Sequence, residues 1–217
     1  SGRASSPRPT ALTVWAANDN IVSGNGADTI NGGDGDDTIF SYGGNDSIFG
    51  GVGADLILGV TGHDMIDGGS AADVIDGGAG FDTLNGGDGD DTMFGNKGTD
   101  FLDGGNGNDS LQGGIGDDTL IGGIGNDVLQ GQGGSDLFDA GGGADTVNAD
   151  AGNDTVTGGG GDDVITGGGQ NDAIAGGAGA DTIRGGNGLD EILGGADNDR
   201  IFGGFGGSRA EHRGTAG

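Results

Sequence analysis

The sequence predicts an all-β chain: a right-handed parallel β-roll, or solenoid, of 18 residues per coil and about ten coils. Three observations predict it. Residues 14–202 divide into 21 consecutive nonapeptides without insertion or deletion. The sixth place of every nonapeptide is Asp, from Asp19 to Asp199, and the eighth is always a large apolar residue, from Ile21 to Ile201. Glycine dominates the first, second and fourth places, as in Gly113–Ile121 (GGIGDDTLI) and Gly122–Gln130 (GGIGNDVLQ). Nine residues cannot bury an apolar face alone, so such a period marks units that bury it against their neighbours.

Composition alone points elsewhere. With 60 Gly, 31% hydrophobic residues and a formal net charge of -28, an aperiodic chain would lack the apolar surface to offset its ordering entropy. The fixed phase overrides that reading. Collagen fails because the seventh place is never Gly and the chain has only two Pro. Every Asp lies in the repeat region, where Lys97, Arg184 and Arg200 are the only basic residues. Nucleic acid and anionic membrane surfaces are repelled by such a body, and cations are its natural partners. No apolar run approaches the ~20 residues of a membrane span. Cys is absent, so disulfides play no part.

In chain order, residues 1–13 lie outside the phase and read as a flexible leader. The first unit, 14–22, keeps Asp19 and Ile21 but has Val14, Trp15 and Ala16 where the glycines stand elsewhere. Terminal repeats of stacked folds are atypical, and Trp15 is expected to cover the N-terminal end of the core. In later units the last three places, such as Thr119-Leu120-Ile121, suit a short strand with the middle residue facing inward. The first six places suit a turn, because Gly reaches positive φ without steric cost. Strand, turn, strand, turn makes one coil. Stacking sets equivalent strands about 4.8 Å apart in two facing parallel sheets.

Tyr42, Val60, Asn96, Gln132 and Asp150 replace the second Gly, and Ala71, Gln170 and Asp197 the fourth. The turns are expected to be most distorted there. The region 14–202 is thus the roll, and 203–217, with Arg209, His212 and Arg213, reads as a flexible Gly-rich tail. Phe202 and Phe205 are candidates to cover the C-terminal end of the core.

Calcium takes six to eight oxygens, from carboxylates and backbone carbonyls, in a pliant geometry. A Gly-rich turn can aim carbonyls inward, and Asp at the sixth place adds charge. One turn offers too few ligands, but stacking brings every second turn together on the same edge. Magnesium fits less well because it demands near-ideal octahedral geometry and holds its water. Zinc or copper would call for His or Cys, and only His63 and His212 are present. His63, at a fifth place, reads as a solvated turn residue. Stacked like charges about 5 Å apart repel by about 1 kcal/mol even in water. Divalent ions on the order of 15 would supply roughly +30 against the formal -28.

The repeat resembles the GGxGxDxUx nonapeptide of the RTX (repeats-in-toxin) family, where U is a large apolar residue. The resemblance covers residues 23–202 well and 14–22 in part. It implies calcium held between neighbouring turns by turn carbonyls and the sixth-place Asp. Carried over by position, the carboxylates are Asp28, Asp37, Asp46, Asp55, Asp64, Asp73, Asp82, Asp91, Asp100, Asp109, Asp118, Asp127, Asp136, Asp145, Asp154, Asp163, Asp172, Asp181, Asp190 and Asp199. The carbonyls come from the second and fourth places of the fully matching units. These are Gly33, Gly35, Gly51, Gly53, Gly78, Gly80, Gly87, Gly89, Gly105, Gly107, Gly114, Gly116, Gly123, Gly125, Gly159, Gly161, Gly177, Gly179, Gly186 and Gly188. Asp109 and Asp127 would share ions on one edge, and Asp100, Asp118 and Asp136 on the other.

No H-E-x-x-H, G-x-S-x-G or Cys–His pair occurs, and adjacent carboxylates such as Asp36-Asp37 recur with the period, so an enzyme is not expected. Val22, Phe40, Leu56, Leu58, Val74 and Phe94 fall on one outer face, where a protein partner or another domain would dock. The resemblance implies a secreted bacterial calcium-binding module whose folding is coupled to calcium, serving export or acting as a scaffold. The alternatives are a calcium-rigidified structural or adhesive module, and the repeat domain of an exported enzyme or toxin.

Overall fold

The computed structural model describes residues 11–211, and the side chains of 11–209. Its strands form two sheets, one of twelve and one of eleven, in which every neighbour is the next-but-one strand in sequence. All pairings are parallel and in register. Leu120 pairs with Leu102 on one side and Phe138 on the other, 18 residues away in each direction. In the other sheet Met93 pairs with Ile75 and Leu111. Identical spacing in every unit leaves only this register, because a slip of one residue would turn each apolar side chain outward.

The core is the file of eighth-place residues from each sheet, facing one another. From Ile21 to Ile192 they are at most 6% exposed, and only Ile201, in the final coil, is partly open. Ala140 and Ala149, at first places, join them.

The strands are longer than three residues. Most run for six, as Thr119–Ile124 does, from the seventh place through the third place of the next unit. Gly-Gly therefore continues the ladder, Gly105 opposite Gly123, rather than opening the turn. Glycine is a weak strand residue because it brings no side chain to pack. Here identical neighbours above and below supply its hydrogen bonds, and its first place faces the crowded interior. Leu56–Leu58 and Thr146–Asn148 do stop at three residues, each just before a second place held by Val60 or Asp150. Thr61 and Ala151 keep only isolated bridges there.

Both ends differ from expectation. Trp15 does not cover the core; it occupies an outward-facing second place and is 81% exposed. Leu12 and Val14 pack against the core instead, and Ala11–Thr13 pairs with Thr29–Asn31. Residues 1–10 of the expected leader lie outside the described residues. At the other end Arg209–Glu211 is a strand paired with Glu191–Leu193. Gly203–Glu211 thus continues the period in degenerate form, with Ser208 at the sixth place and Ala210 at the eighth. Phe205 is 82% exposed and covers nothing. Phe202 lies on the outer face, with the guanidinium carbons of Arg184 and Arg200 at 5.4 and 4.9 Å from its ring centre. Second, third and ninth places point away from the core, which is why none of these aromatics closes it.

Candidate metal centre

The sixth-place carboxylates are gathered into two files, one on each edge of the roll. From Asp28 to Asp190 their side chains are only 1–3% exposed. From Asp37 onward each is held by the coil before it. Oδ1 of Asp118 accepts the Asp100 N–H at 2.9 Å, and Oδ1 of Asp136 accepts the Asp118 N–H at 2.8 Å. On the other edge Oδ1 of Asp127 accepts the Asp109 N–H at 2.8 Å. The neighbours expected along each edge are therefore brought together. Oδ2 turns inward and crowds the first-place glycine. A Cβ on Gly104 would lie 2.5 Å from Asp109 Oδ2. From Asp55 to Asp181, every sixth-place Oδ2 is buried and accepts no hydrogen bond.

The backbone of the turn adds to this surplus of acceptors. From Ala17 to Gly161 each fourth-place N–H donates to a third-place carbonyl of the following coil, as Gly116 does to Gly133 at 2.8 Å. Each seventh-place N–H donates to a sixth-place carbonyl of the preceding coil, as Thr119 does to Asp100 at 2.8 Å. Among the described residues, no turn hydrogen bond ends on a fourth- or fifth-place carbonyl. The fourth-place carbonyls project along the stack, so that a Cβ on Gly125 would run into the Gly107 carbonyl oxygen. By contrast, the second-place carbonyls of Tyr42, Val60, Gln132 and Asp150 already accept ladder N–H groups. The fourth-place oxygens are thus freer than these. Buried polar atoms are normally paired, and buried oxygens without protein donors suit a hard cation. Among the described residues no three carboxylate or imidazole groups cluster for a metal. An ion between turns would therefore draw on carbonyls as well as Asp.

Burial also raises the carboxyl groups. It is the main cause that pushes Asp73, Asp118 and Asp154 up to about 7, and Asp64, Asp100 and Asp109 up to about 6. The N–H from the preceding coil pulls each of them down, and neighbouring carboxylates in the file push them up again. A bare ionised file is thus disfavoured at these positions, and a cation would relieve it.

A second ladder escaped the sequence reading. Fifth-place side chains accept the fifth-place N–H of the following coil: Asp117 from Ser135 at 2.7 Å, Asn108 from Asn126 at 2.9 Å. His63 belongs to it, since its Nδ1 accepts the Phe81 N–H at 2.8 Å and its ring stacks on Phe81 with centres 4.9 Å apart. The recurrence of Asn, Asp and Ser at that place was the available signal. The outer apolar residues are arranged more finely than expected. Val22, Phe40 and Leu58 are successive neighbours, as are Leu56 and Val74, but Asp76 stands between Leu58 and Phe94.

These features define a class: a parallel β-roll whose turns bind calcium. The model of the RTX calcium-binding nonapeptide repeat, a unit of four copies, matches residues 16–48, 41–66, 49–84, 67–102, 76–111, 103–138, 112–147, 139–174, 148–183 and 175–208. The chain belongs to that family. Comparison with curated proteins gives no match.

Proposed function

We propose that the chain is a calcium-coupled folding module of an exported protein. In this reading it is kept open by carboxylate repulsion where calcium is scarce and folds outside the cell. The observation that carries it is the double file of buried carboxylates whose Oδ2 atoms accept no hydrogen bond. Bound calcium supplies positive charge and accepts oxygen ligands in a pliant shell. The sixth-place Asp residues would hold it, with carbonyls led by fourth-place glycines such as Gly107, Gly116 and Gly125. Because an ordered site exists only in the stacked coils, binding free energy becomes folding free energy. No catalytic role is proposed. Among the described residues no helix is long and apolar enough to cross a membrane.

Calcium titration by calorimetry alongside far-UV circular dichroism tests the proposal. Heat and β signal are expected to rise together, with ions on the order of 15 bound per chain. An unchanged β signal between excess chelator and millimolar calcium would defeat it. A second reading, a rigid scaffold or adhesive segment, draws on the outer face of Val22, Phe40, Leu56, Leu58 and Val74, which a partner would cover. Glu at Phe40 and Leu58 should then abolish calcium-dependent assembly while leaving the titration intact.

A further inference from the structure

On the edge that follows the eleven-stranded sheet, the carboxylate file runs from Asp28 to Asp190, and one coil later the sixth place is Ser208. The spacing of the period persists, although Ala210 takes the large apolar place. Gly203, Gly204 and Gly206 hold the first, second and fourth places, and the strand after Ser208 pairs in register with Glu191–Leu193. Ser208 therefore stands where a carboxylate would, against its own first-place glycine: a Cβ on Gly203 would lie 3.1 Å from Ser208 Cβ. Its Oγ is 2.8 Å from Asp190 Oδ2 and 2.8 Å from the Gly203 carbonyl oxygen. This changes the condition of Asp190. Its Oδ1 accepts the Asp172 N–H at 3.2 Å, as those of Asp46 through Asp172 accept from the coil before them. Its Oδ2, unlike that of Asp55 through Asp181, also has a donor.

We propose that Ser208 ends the calcium file on this edge. The gap between the Asp190 and Ser208 turns is closed by a hydroxyl instead of a cation, and the last ion of the file belongs to the turns of Asp172 and Asp190. The inference rests on the calcium reading above and specifies where it stops. Two physical reasons support it. The gap contains one carboxylate where the others contain two, and calcium affinity follows the charge of the ligand set. The hydroxyl also has a single proton, and a charge-assisted bond to Oδ2 places it at the oxygen that a cation would need. The strand Arg209–Glu211 is then fastened on this side without metal.

The test counts calcium bound by the full chain at saturation, by native mass spectrometry, for the wild type, Ser208→Ala and Ser208→Asp. Ser208→Asp is expected to hold one ion more than the wild type. Ser208→Ala is expected to hold the same number, while amide exchange at Arg209–Glu211 quickens by about tenfold for loss of a charge-assisted hydrogen bond. Loss of an ion in Ser208→Ala would make Ser208 a ligand and overturn the proposal, whether or not the Asp variant folds. So would an unchanged count in a Ser208→Asp chain with wild-type exchange protection. A wild type that binds no calcium would overturn the calcium reading itself, and this inference with it.

Discussion

The two edges of the roll are written in the same nonapeptide yet differ at the second place. Along the twelve-stranded sheet that place is Gly throughout, from Gly33 to Gly195. Along the eleven-stranded sheet Tyr42, Val60, Asn96, Gln132 and Asp150 interrupt it. All five keep a positive φ, between 68° and 75°, whereas Gly33, Gly105 and Gly123 sit at 98–106°. The stack thus imposes the left-handed conformation whatever the residue, at about 1–2 kcal/mol for a side chain that resists it. Side chains that accept this strain are put to use across the sheet face. Asn96 donates to Asp76 at 2.8 Å, and Asp150 accepts from Gln130 at 3.0 Å and Asn148 at 2.8 Å. Where Gly78 leaves the file open between Val60 and Asn96, a shallow cleft of about 380 Å³ remains. At the second place, then, one edge is uniform glycine and the other strained and decorated.

The largest effect should come from removing calcium. At neutral pH excess chelator is expected to abolish the β signal, and in a graded titration the edge with Val60 and Asp150 should lose amide protection first. Simultaneous loss on both edges, read by hydrogen exchange, would erase the distinction. Acidity should then act in opposite directions with and without metal. In the metal-free fold the carboxyl groups of Asp73, Asp118 and Asp154 lie near 7 against an ordinary value of 3.8. The folded chain therefore binds protons more tightly than the unfolded one. Its advantage is full below about pH 4 and fades as pH rises through 6 to 7. In chelator, a shift from pH 7.5 to 4.5 is expected to restore β structure. With calcium the slope reverses, because the ligands must be ionised. Circular dichroism over that range checks both signs.

Substitutions at the second place separate the edges more directly. Gly123→Val puts a branched side chain into the Gly105 carbonyl and should cost about 3 kcal/mol in chemical denaturation with calcium present. The mirror experiment, Val60→Gly, should stabilise by about 1 kcal/mol, since a β-branched residue at φ 75° is relieved. If Val60→Gly destabilises, the packing of Val60 outweighs its backbone strain. The smallest change is expected from Asn126→Ala, about 0.5 kcal/mol, because the fifth-place ladder is solvent-exposed. A loss as large as that of Gly123→Val would mean that the outer ladder, not the glycine turns, aligns the coils.

Much of this was legible because the period is strict. One invariant apolar place defined the core, and one invariant Asp place, read with a two-unit coil, put Asp100, Asp118 and Asp136 on one edge. What stayed hidden depends on neighbours rather than on residue type. Gly-Gly reads as turn by propensity, and only stacking makes Gly105 and Gly123 ladder partners. Trp15 looked like a lid by size, but its place in the nonapeptide points it outward. The final unit was missed because Ser208 and Ala210 replace the two diagnostic residues, although Gly203, Gly204 and Gly206 kept the beat. The fourth-place carbonyls could be named as ligands, but their lack of donors appears only once every other turn hydrogen bond is in place.

The direction of the turn hydrogen bonds has a consequence for how such a chain changes length. Fourth- and sixth-place N–H groups donate to the following coil, fifth- and seventh-place groups to the preceding one. Each coil thus gives and receives alike on its two faces. A duplication or excision of one whole coil leaves its new neighbours with the partners they had. Removal of a single nonapeptide does not: it carries every downstream unit to the opposite edge, so that residues such as Asn96 and Gln132 arrive in the all-glycine file. Inheritance should therefore lengthen or shorten this molecule by 18 residues at a time, although its sequence repeats every nine.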